Sequence, residues 1–116
     1  MGLTFKENCP DTRNSKVSDV YNCLMEYGVQ PIVVDPWASE RDAKREYNIE
    51  LSPIESAKDA DCVIIAVAHN EFKQLGLENI SQMFKNIPQN EKILIDVKAL
   101  YSVVELEASG LTYWRL

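Results

Sequence analysis

The sequence lacks an excess of basic residues: its 116 residues include 12 Lys and Arg against 18 Asp and Glu, a formal net charge of −6. That balance argues against a general affinity for nucleic acid or anionic membranes, because such binding depends on cations that displace counterions. Long apolar runs are also missing. The longest, Cys62 to Ala68, has the length of a strand, whereas a bilayer span needs roughly 20 apolar residues. We therefore expect no nucleic-acid partner and no association with membranes.

Cysteine and histidine are too scarce for a disulfide framework or a metal centre. The three cysteines, Cys9, Cys23 and Cys62, are odd in number and lack CxxC spacing, and His69 is the single histidine. We expect reduced thiols, no metal site and, because no signal peptide precedes the first strand-like segment, a cytoplasmic protein. Cys23 and Cys62 lie at positions typical of a core, so we predict that both pack there.

Glycine is equally scarce, with four residues at positions 2, 28, 76 and 110. This spacing excludes a GxGxxG dinucleotide fingerprint and a GxxxxGK[ST] phosphate loop, and there is no GxSxG nucleophile motif. The sequence therefore predicts neither a self-contained nicotinamide site of the usual kind nor a complete catalytic apparatus.

Strand-like and helix-like segments alternate along the chain. Predicted strands cover 1–5, 31–35, 49–51, 61–67, 92–96 and 111–116, and predicted helices cover 16–27, 39–47, 52–57, a short one beginning at 69, 77–84 and 102–108. This alternation is typical of one α/β domain, a three-layer Rossmann-like fold with a mostly parallel sheet and right-handed crossovers. We expect the apolar strand at 61–67 to lie in the middle of the sheet, covered on both faces. The first strand has no lead-in, as expected of a piece cut from a longer protein.

The run from 2 to 15 is the most informative stretch of the chain. A short strand runs into Lys6, a loop that contains Arg13 follows, and Asn14 or Ser15 caps a helix. The carboxyl edge of a parallel sheet and the N-terminus of a helix are places where anionic ligands bind. The run therefore predicts an anion site at this edge.

Three cations lie after predicted strands at this edge: Lys6, Arg13 and Lys98. Arg can pair with phosphate oxygens in a bidentate way and Lys supplies a point charge, so the three could surround a diphosphate. The alternative is that each is an ordinary solvated surface residue.

Asp35 and His69 also follow predicted strands. Asp35 lies where a dinucleotide-binding fold places its ribose-binding acid, but without the glycine fingerprint a cap of the turn at Pro36 is the favoured interpretation. For His69 two alternatives stand, that it orients a loop by hydrogen bonds or that it faces a ligand. Trp37 and Trp114 are interpreted as packing residues rather than platforms for base stacking.

Gly2 to Ser15 matches the pattern G-x-x-F-K-x-x-x-x-D-x-R-x-S, and supporting matches lie at Asp35–Pro36, Ile95–Lys98 and Gly110–Tyr113. The chain thereby resembles the C-terminal UDP-binding domain of the UDP-glucose/GDP-mannose dehydrogenase family, over residues 1–116. Members oxidise the C6 hydroxyl of a nucleotide sugar to a carboxylate in two NAD-dependent steps. The resemblance implies that the NAD-binding and central helical parts, with the catalytic cysteine, are absent from this chain. It also implies a homo-oligomeric parent in which an N-terminal dehydrogenase domain is the partner.

The resemblance assigns roles to individual residues. Phe5, Lys6 and Lys98 match positions that contact the UDP-sugar, and Arg13 matches an arginine that reaches the NAD of the other domain. No catalytic residue is carried over. Cys9 lies in the same loop but should not be mistaken for the nucleophile, because nothing near it in the sequence would activate it.

The sequence Glu7–Asp11 and the lysine in Asp96–Lys98 are similar to those of one branch of the family. Members of this branch act on UDP-N-acetylglucosamine, -galactosamine or -mannosamine for surface polysaccharide synthesis. GDP-mannose enzymes remain an alternative at the level of the sugar. A hypothesis of another class is a stand-alone α/β nucleotide-binding or regulatory module without catalysis.

Overall fold

The computed structural model describes all residues from 1 to 116. Three parallel strands lie in the order β1, β2, β3, with Cys62 opposite Ile93 and Ile93 opposite Thr112. The strands are β1 (Cys62–Ile65), β2 (Ile93–Asp96) and β3 (Thr112–Arg115), and the helices are α1 (Val17–Glu26), α2 (Glu40–Tyr47), α3 (Asn70–Ser81) and α4 (Val103–Ser109). Single 3-10 turns cover Ile54–Ser56 and Gln89–Glu91. No helix is long and apolar enough to cross a membrane.

The first residues extend this sheet beyond β1. The Met1 ammonium donates to Ile64 O (2.6 Å) and Ala66 N donates to Met1 O (2.8 Å), which is the pattern of a parallel neighbour. On the other side Gly2 N donates to Val34 O (2.8 Å). Residues 1–3 therefore lie between β1 and the segment around Val34.

The chain continues this arrangement outward, because Val33 forms a parallel bridge with Leu51. The extended segments consequently lie in the order Leu51, Val33, residues 1–3, β1, β2, β3. Numbered along the chain this is 3-2-1-4-5-6, the order of doubly wound dinucleotide-binding folds. The predicted α/β, Rossmann-like fold with a parallel sheet is confirmed.

Several predicted boundaries are wrong. Residues 1–5, 31–35 and 49–51 contribute isolated strand-like bonds rather than regular strands. Pro36 has no N–H to continue the ladder beyond Val34, and the Asp35 side chain takes the next two backbone N–H groups, of Leu3 and Thr4. The helices predicted from 69 and at 77–84 are one kinked α3 with a non-helical Gly76 (φ 79°, ψ 156°), and 52–57 holds one 3-10 turn.

Helix caps were more predictable. The Ser39 hydroxyl accepts from Asp42 N, Ser102 and Glu105 form a complete capping box, and Gly110 ends α4 in the left-handed conformation. The predicted cap of α1 by Asn14 or Ser15 is wrong, because the N-cap is Lys16 and makes no side-chain cap bond. The Ser15 hydroxyl, one residue earlier, accepts from Val17 N at 3.3 Å and donates to Leu3 O. That second bond ties the start of α1 to the end of the first segment.

The two hydrophobic clusters divide the molecule. One joins alternate residues of β1 and β2 to α3 and α4, through Val63, Ile65, Phe72, Ile80, Met83, Phe84, Leu94, Tyr101, Leu106 and Leu111. The other packs Leu3 and Val33 with Ala43 and Ile49 under α1 and α2. The first residues are thus fixed by packing as well as by hydrogen bonds.

The expectation that the strand at 61–67 is covered on both faces is wrong. Val63 and Ile65 are buried, but the alternate face carries Cys62, which is exposed, and Ile93 of the next strand, which is 44% exposed. Side chains alternate along a strand, and the next residues of that face, Ile64 and Ile95, are only half-buried. Cys23 is also exposed, since the buried side of α1 runs through Ser18. The predicted packing of Cys23 and Cys62 in the core is therefore wrong.

Candidate functional site

The candidate site lies at the carboxyl edge of the sheet, between the end of residues 1–3 and the end of β1. From the first segment the chain turns through α1 toward Val33, whereas from β1 it turns through α3 toward β2. The two connections thus leave in opposite directions and open a crevice between their loops. In doubly wound sheets this switch point is where ligands bind.

The loop at residues 4–15 forms one side of this crevice and is tied down at several points. Phe5 N donates to Asp11 O (2.7 Å), which closes the loop on itself. Thr12 is buried; its hydroxyl donates to Glu46 Oε2 (2.7 Å) and its carbonyl accepts from the Tyr47 hydroxyl. The loop therefore packs on α2 while the segment between its closing bonds projects over the edge.

A buried Asp35–His69 pair lies beneath the loop. The Asp35 side chain accepts from Leu3 N (2.6 Å), Thr4 N (3.1 Å) and His69 Nε2 (2.9 Å) through Oδ2. Its Oδ1 accepts from the backbone N–H of residues 37 and 38 at 2.7 and 2.9 Å. Burial alone would raise the pKa of Asp35, but the bond from His69 and those from the backbone outweigh it and lower the pKa to about 2.

The structure therefore supports the interpretation of Asp35 as a turn cap, and it adds contacts that the sequence did not suggest. The side chains of Asp35 and His69 are both fully buried. His69 also bonds to Thr4 Oγ1 (3.1 Å) and accepts from Asn8 N (3.0 Å) through Nδ1. Of the two alternatives for His69, the structure shows the one in which the ring orients a loop.

Two contributors to this network were missed by sequence reasoning, Thr4 and Asn8. The Thr4 hydroxyl donates to Lys6 O (2.9 Å), and Asn8 Oδ1 accepts from Asn70 N (2.9 Å). Asn8 adopts φ 55°, a left-handed conformation that Asn tolerates better than most residues. An asparagine in a loop between charged residues was the only available signal.

The predicted contact residues lie on the surface of the same edge. Phe5 is 56% exposed, and Lys6 and Lys98 are exposed and form no ion pair. Lys98 follows β2 in a turn that the buried Asp96 fixes by accepting from the N–H of Leu100 at 3.0 Å and of Tyr101. Phe5 and Lys6 thus flank the crevice, and Lys98 lies beyond the end of the next strand.

Arg13 is held differently from the two lysines. Its Nε and Nη2 donate to the two Asp11 carboxylate oxygens at 3.0 and 3.2 Å, and its side chain is 77% exposed. The hydrogen bonds from Arg13 hold the pKa of Asp11 below its usual value. The guanidinium therefore lies at the loop surface, where two of its N–H groups already donate to the Asp11 carboxylate.

Two cavities of the chain are large enough to receive part of a ligand. A cavity of about 330 Å³ opens at the carboxyl edge beside the network, lined by Val34, Pro36 and Glu71 among others. A larger one of about 620 Å³ lies between α3 and α4 next to the Lys73–Glu105 ion pair. The larger one lies away from the switch point, and none of Phe5, Lys6, Arg13 and Lys98 lines either cavity.

Residues 1–103 match the model of the UDP-glucose/GDP-mannose dehydrogenase family, UDP binding domain. The chain belongs to this family. It is 50% identical to UDP-N-acetyl-D-glucosamine 6-dehydrogenase of Pseudomonas aeruginosa over 86% of its own length and 23% of that protein. It is 38% identical to the enzyme of the same name from Salmonella typhi over 84% of its length and 22% of that protein. The predicted similarity to the UDP-N-acetylhexosamine branch is confirmed.

The solved structures agree with the fold of the family. The crystal structure of NDP-N-acetyl-D-galactosaminuronic acid dehydrogenase from Methanosarcina mazei Go1 superposes with a TM-score of 0.81. The superposition covers 98% of this chain and 23% of the Methanosarcina mazei chain. The sequence identity is 19%, which supports a shared fold and nothing more. The chain thus spans about a quarter of the length of these family members.

NAD does not fit the residues of this family member as a self-contained site. The first strand-like segment is followed by a long loop with Pro10 rather than a glycine-rich turn, and the helix after it begins only at Val17. A dinucleotide site needs the helix N-terminus close behind the strand so that it approaches the pyrophosphate. Cys9 is half-buried in this loop, and its thiol takes no part in the hydrogen bonds that join Asn8, His69 and Asp35.

Proposed function

We propose that this chain is the UDP-binding domain of an NAD-dependent nucleotide-sugar 6-dehydrogenase. In this proposal the whole enzyme oxidises the C6 hydroxyl of a UDP-N-acetylhexosamine to the uronate for surface polysaccharide synthesis in the cytoplasm. The names of the two bacterial relatives support this sugar class. The remaining parts of the enzyme are an N-terminal dehydrogenase domain that holds NAD and the nucleophile, in a homo-oligomeric parent.

The observation that carries the proposal is a pair of unpartnered lysines at the carboxyl edge, Lys6 beside the switch point and Lys98 after β2. Lys6 and Lys98 are exposed cations without an acidic partner, although the chain as a whole is acidic. A UDP diphosphate at this edge would supply the missing anion, because Lys acts as a point charge toward phosphate. Phe5, which is 56% exposed beside Lys6, offers an apolar contact to the same ligand.

Arg13 belongs to the part of the proposal that concerns NAD. Bound NAD would accept hydride, and this chain supplies neither the nucleophile nor the pyrophosphate loop. Arg13 would approach the cofactor only across the interface between domains, after its guanidinium leaves Asp11. The isolated chain is therefore expected to bind UDP weakly and to show no turnover, since positioned reactants are the source of catalysis.

Calorimetric titration of this chain with UDP tests the proposal, with UDP-N-acetylglucosamine and GDP as comparisons. Lys6→Ala and Lys98→Ala should each weaken UDP binding several-fold, with a smaller difference at high salt because charge–phosphate contacts are screened. Lys58→Ala is the matched control, since Lys58 is exposed, forms no ion pair and precedes β1 at the opposite edge. Equal losses in all three variants would contradict the assigned site. Tight, selective binding of another nucleotide would favour the stand-alone module.

A further inference from the structure

The proposed function gives His69 no role, although this residue joins three separate parts of the carboxyl edge. Its Nε2 lies 2.9 Å from Asp35 Oδ2 and 3.1 Å from Thr4 Oγ1, and its Nδ1 lies 3.0 Å from Asn8 N. The ring is fully buried, stacks on Trp37 and meets the edge of a phenylalanine ring in α3. These contacts fix both the position and the rotation of the imidazole.

The hydrogen bonds also fix where the ring proton lies. Asn8 N–H can only donate, so Nδ1 must be the unprotonated acceptor. Nε2 then carries the proton and donates toward the Asp35 carboxylate, which already accepts from four backbone N–H groups. The Thr4 hydroxyl donates its own proton to Lys6 O. One tautomer, protonated at Nε2, satisfies all of these groups.

The residues between these anchors include the two to which the proposed function gives contact with the ligand. Thr4 and Asn8 are both bonded to His69, and Phe5 and Lys6 lie between them in the chain. A second bond from Thr4 fixes the Lys6 carbonyl, and the left-handed Asn8 is held on its other side by Asn70 N. The imidazole therefore sets the shape of the short segment that presents Phe5 and Lys6.

We propose that His69, as the neutral tautomer protonated at Nε2, is a positioning residue that holds the loop in the conformation that receives a nucleoside diphosphate. The Nδ1 bond to Asn8 sets the loop, whereas the Nε2 bond to Asp35 serves the stability of the fold. The ligand part rests on the proposed function, and the loop part does not. A loop that is already ordered lowers the cost of binding, because apparent affinity scales with the fraction of receptive protein.

Two substitutions separate the two ring nitrogens. His69→Asn places an amide oxygen near the Nδ1 position, where it can accept from Asn8 N, but it leaves the Asp35 side without a donor. His69→Gln places an amide NH2 near the Nε2 position and leaves Asn8 N without an acceptor. A hydrogen bond changes an equilibrium by up to about tenfold. His69→Gln should therefore raise amide hydrogen exchange at Asn8 and the Kd for UDP by about five- to tenfold, and His69→Asn should leave both close to the unsubstituted values.

The unfolding midpoint in urea should show a different order, with His69→Asn the less stable variant because the buried carboxylate has lost its side-chain donor. Ile80→Val is the control, since Ile80 is fully buried in the cluster under α3 and α4. It should lower stability without changing exchange at Asn8. If exchange and Kd follow stability across all three variants, His69 acts only through folding and the positioning role is refuted.

Two measurements on the unsubstituted chain keep the proposal open to refutation if a variant does not fold. The ring nitrogen NMR spectrum should show His69 protonated at Nε2 and unprotonated at Nδ1, and the Asn8 amide should be protected from exchange. A ring protonated at Nδ1, or an unprotected Asn8 amide, would overturn the inference. If UDP fails to bind while both signatures are present, the ligand assignment fails and the loop anchor stands.

Discussion

Replacing Asp35 by asparagine should destabilise the fold strongly although it changes only one side-chain atom. The carboxylate accepts from five N–H groups, three on Oδ2 and two on Oδ1. The asparagine amide has one oxygen, so its NH2 would face either two or three of these donors. Each buried donor left without an acceptor costs about 1–3 kcal/mol. We expect a loss of about 3–5 kcal/mol in the free energy of unfolding at pH 7.

The pKa of Asp35 gives an independent magnitude for the carboxylate. Burial opposes ionisation, yet the bonds from His69 and the backbone lower the pKa from 3.8 to about 2. At about 1.4 kcal/mol per pKa unit, the folded state favours the charged form by roughly 2 kcal/mol. Because the folded pKa is below the unfolded one, this contribution is present above about pH 4 and is lost as the pH falls toward 2.

Urea unfolding followed by circular dichroism between pH 2.5 and 7 measures both effects. The unsubstituted chain and Asp35→Asn differ in their free energy of unfolding. This difference should become smaller by about 2 kcal/mol as the pH falls from 5 to 2.5. The difference removes the contributions of other acids such as Glu105, whose pKa is also lowered to about 2 by bonds from Ser102 and Lys73. Asp19→Asn is the control, because Asp19 is exposed and its ion pair with Lys16 is 4.0 Å long.

A difference curve that stays flat across this range would refute the idea that the folded chain holds Asp35 as a stabilised carboxylate. If Asp35→Asn loses no more free energy of unfolding at pH 7 than the Asp19→Asn control, the argument from unsatisfied N–H donors is refuted. Asp19→Asn itself should cost less than about 0.5 kcal/mol, as expected for an exposed pair.

Gly2→Ala should cost about 3 kcal/mol in urea unfolding, because its Cβ would lie 2.5 Å from Val67 Cβ at φ 94°; a loss below about 1 kcal/mol would contradict this close approach. Ser102→Ala should cost about 1 kcal/mol, since it removes the capping box with Glu105; an unchanged midpoint would contradict it. Burial lowers the pKa of the Met1 ammonium of this 116-residue chain to about 6 from 8.0, so its stability should rise by about 2 kcal/mol from pH 6 to 8. A chain acetylated at Met1 that keeps this slope would contradict the assignment.

The sequence allowed the second half of the sheet to be predicted better than the first. The runs that became β1 and β2 are apolar and β-branched, and each forms regular parallel ladders with its neighbour. The segments at 1–5 and 31–35 carry similar patterns, but there the Asp35 side chain replaces backbone acceptors. A side chain can take the place of backbone acceptors only where segments about 30 residues apart in the sequence approach each other. The periodicity of apolar residues does not predict such an approach.

The exposed face of the sheet shows the same limit for burial. An apolar strand predicts that both of its faces are covered, yet the face that bears Cys62 and Ile93 is only partly covered in this chain. Local pattern reports what a side chain prefers, whereas coverage depends on which other elements are present. The error at Cys62 therefore has a different origin from the error at Cys23, which reflects the turn of α1 about its axis toward Ser18.

The cations of the candidate site differ in how available they are, and the buried network explains why. Asp35 lies beneath the loop that carries Lys6, but its five N–H donors saturate it inside the protein. It therefore offers no free acceptor to the Lys6 ammonium, which forms no ion pair. Arg13, by contrast, is matched by Asp11 in the same exposed loop, so an anion must displace a carboxylate to reach it. If the proposed function holds, Lys6 would contact the diphosphate without giving up an ion pair. Arg13 would reach the cofactor only when a second contact compensates for the loss of Asp11.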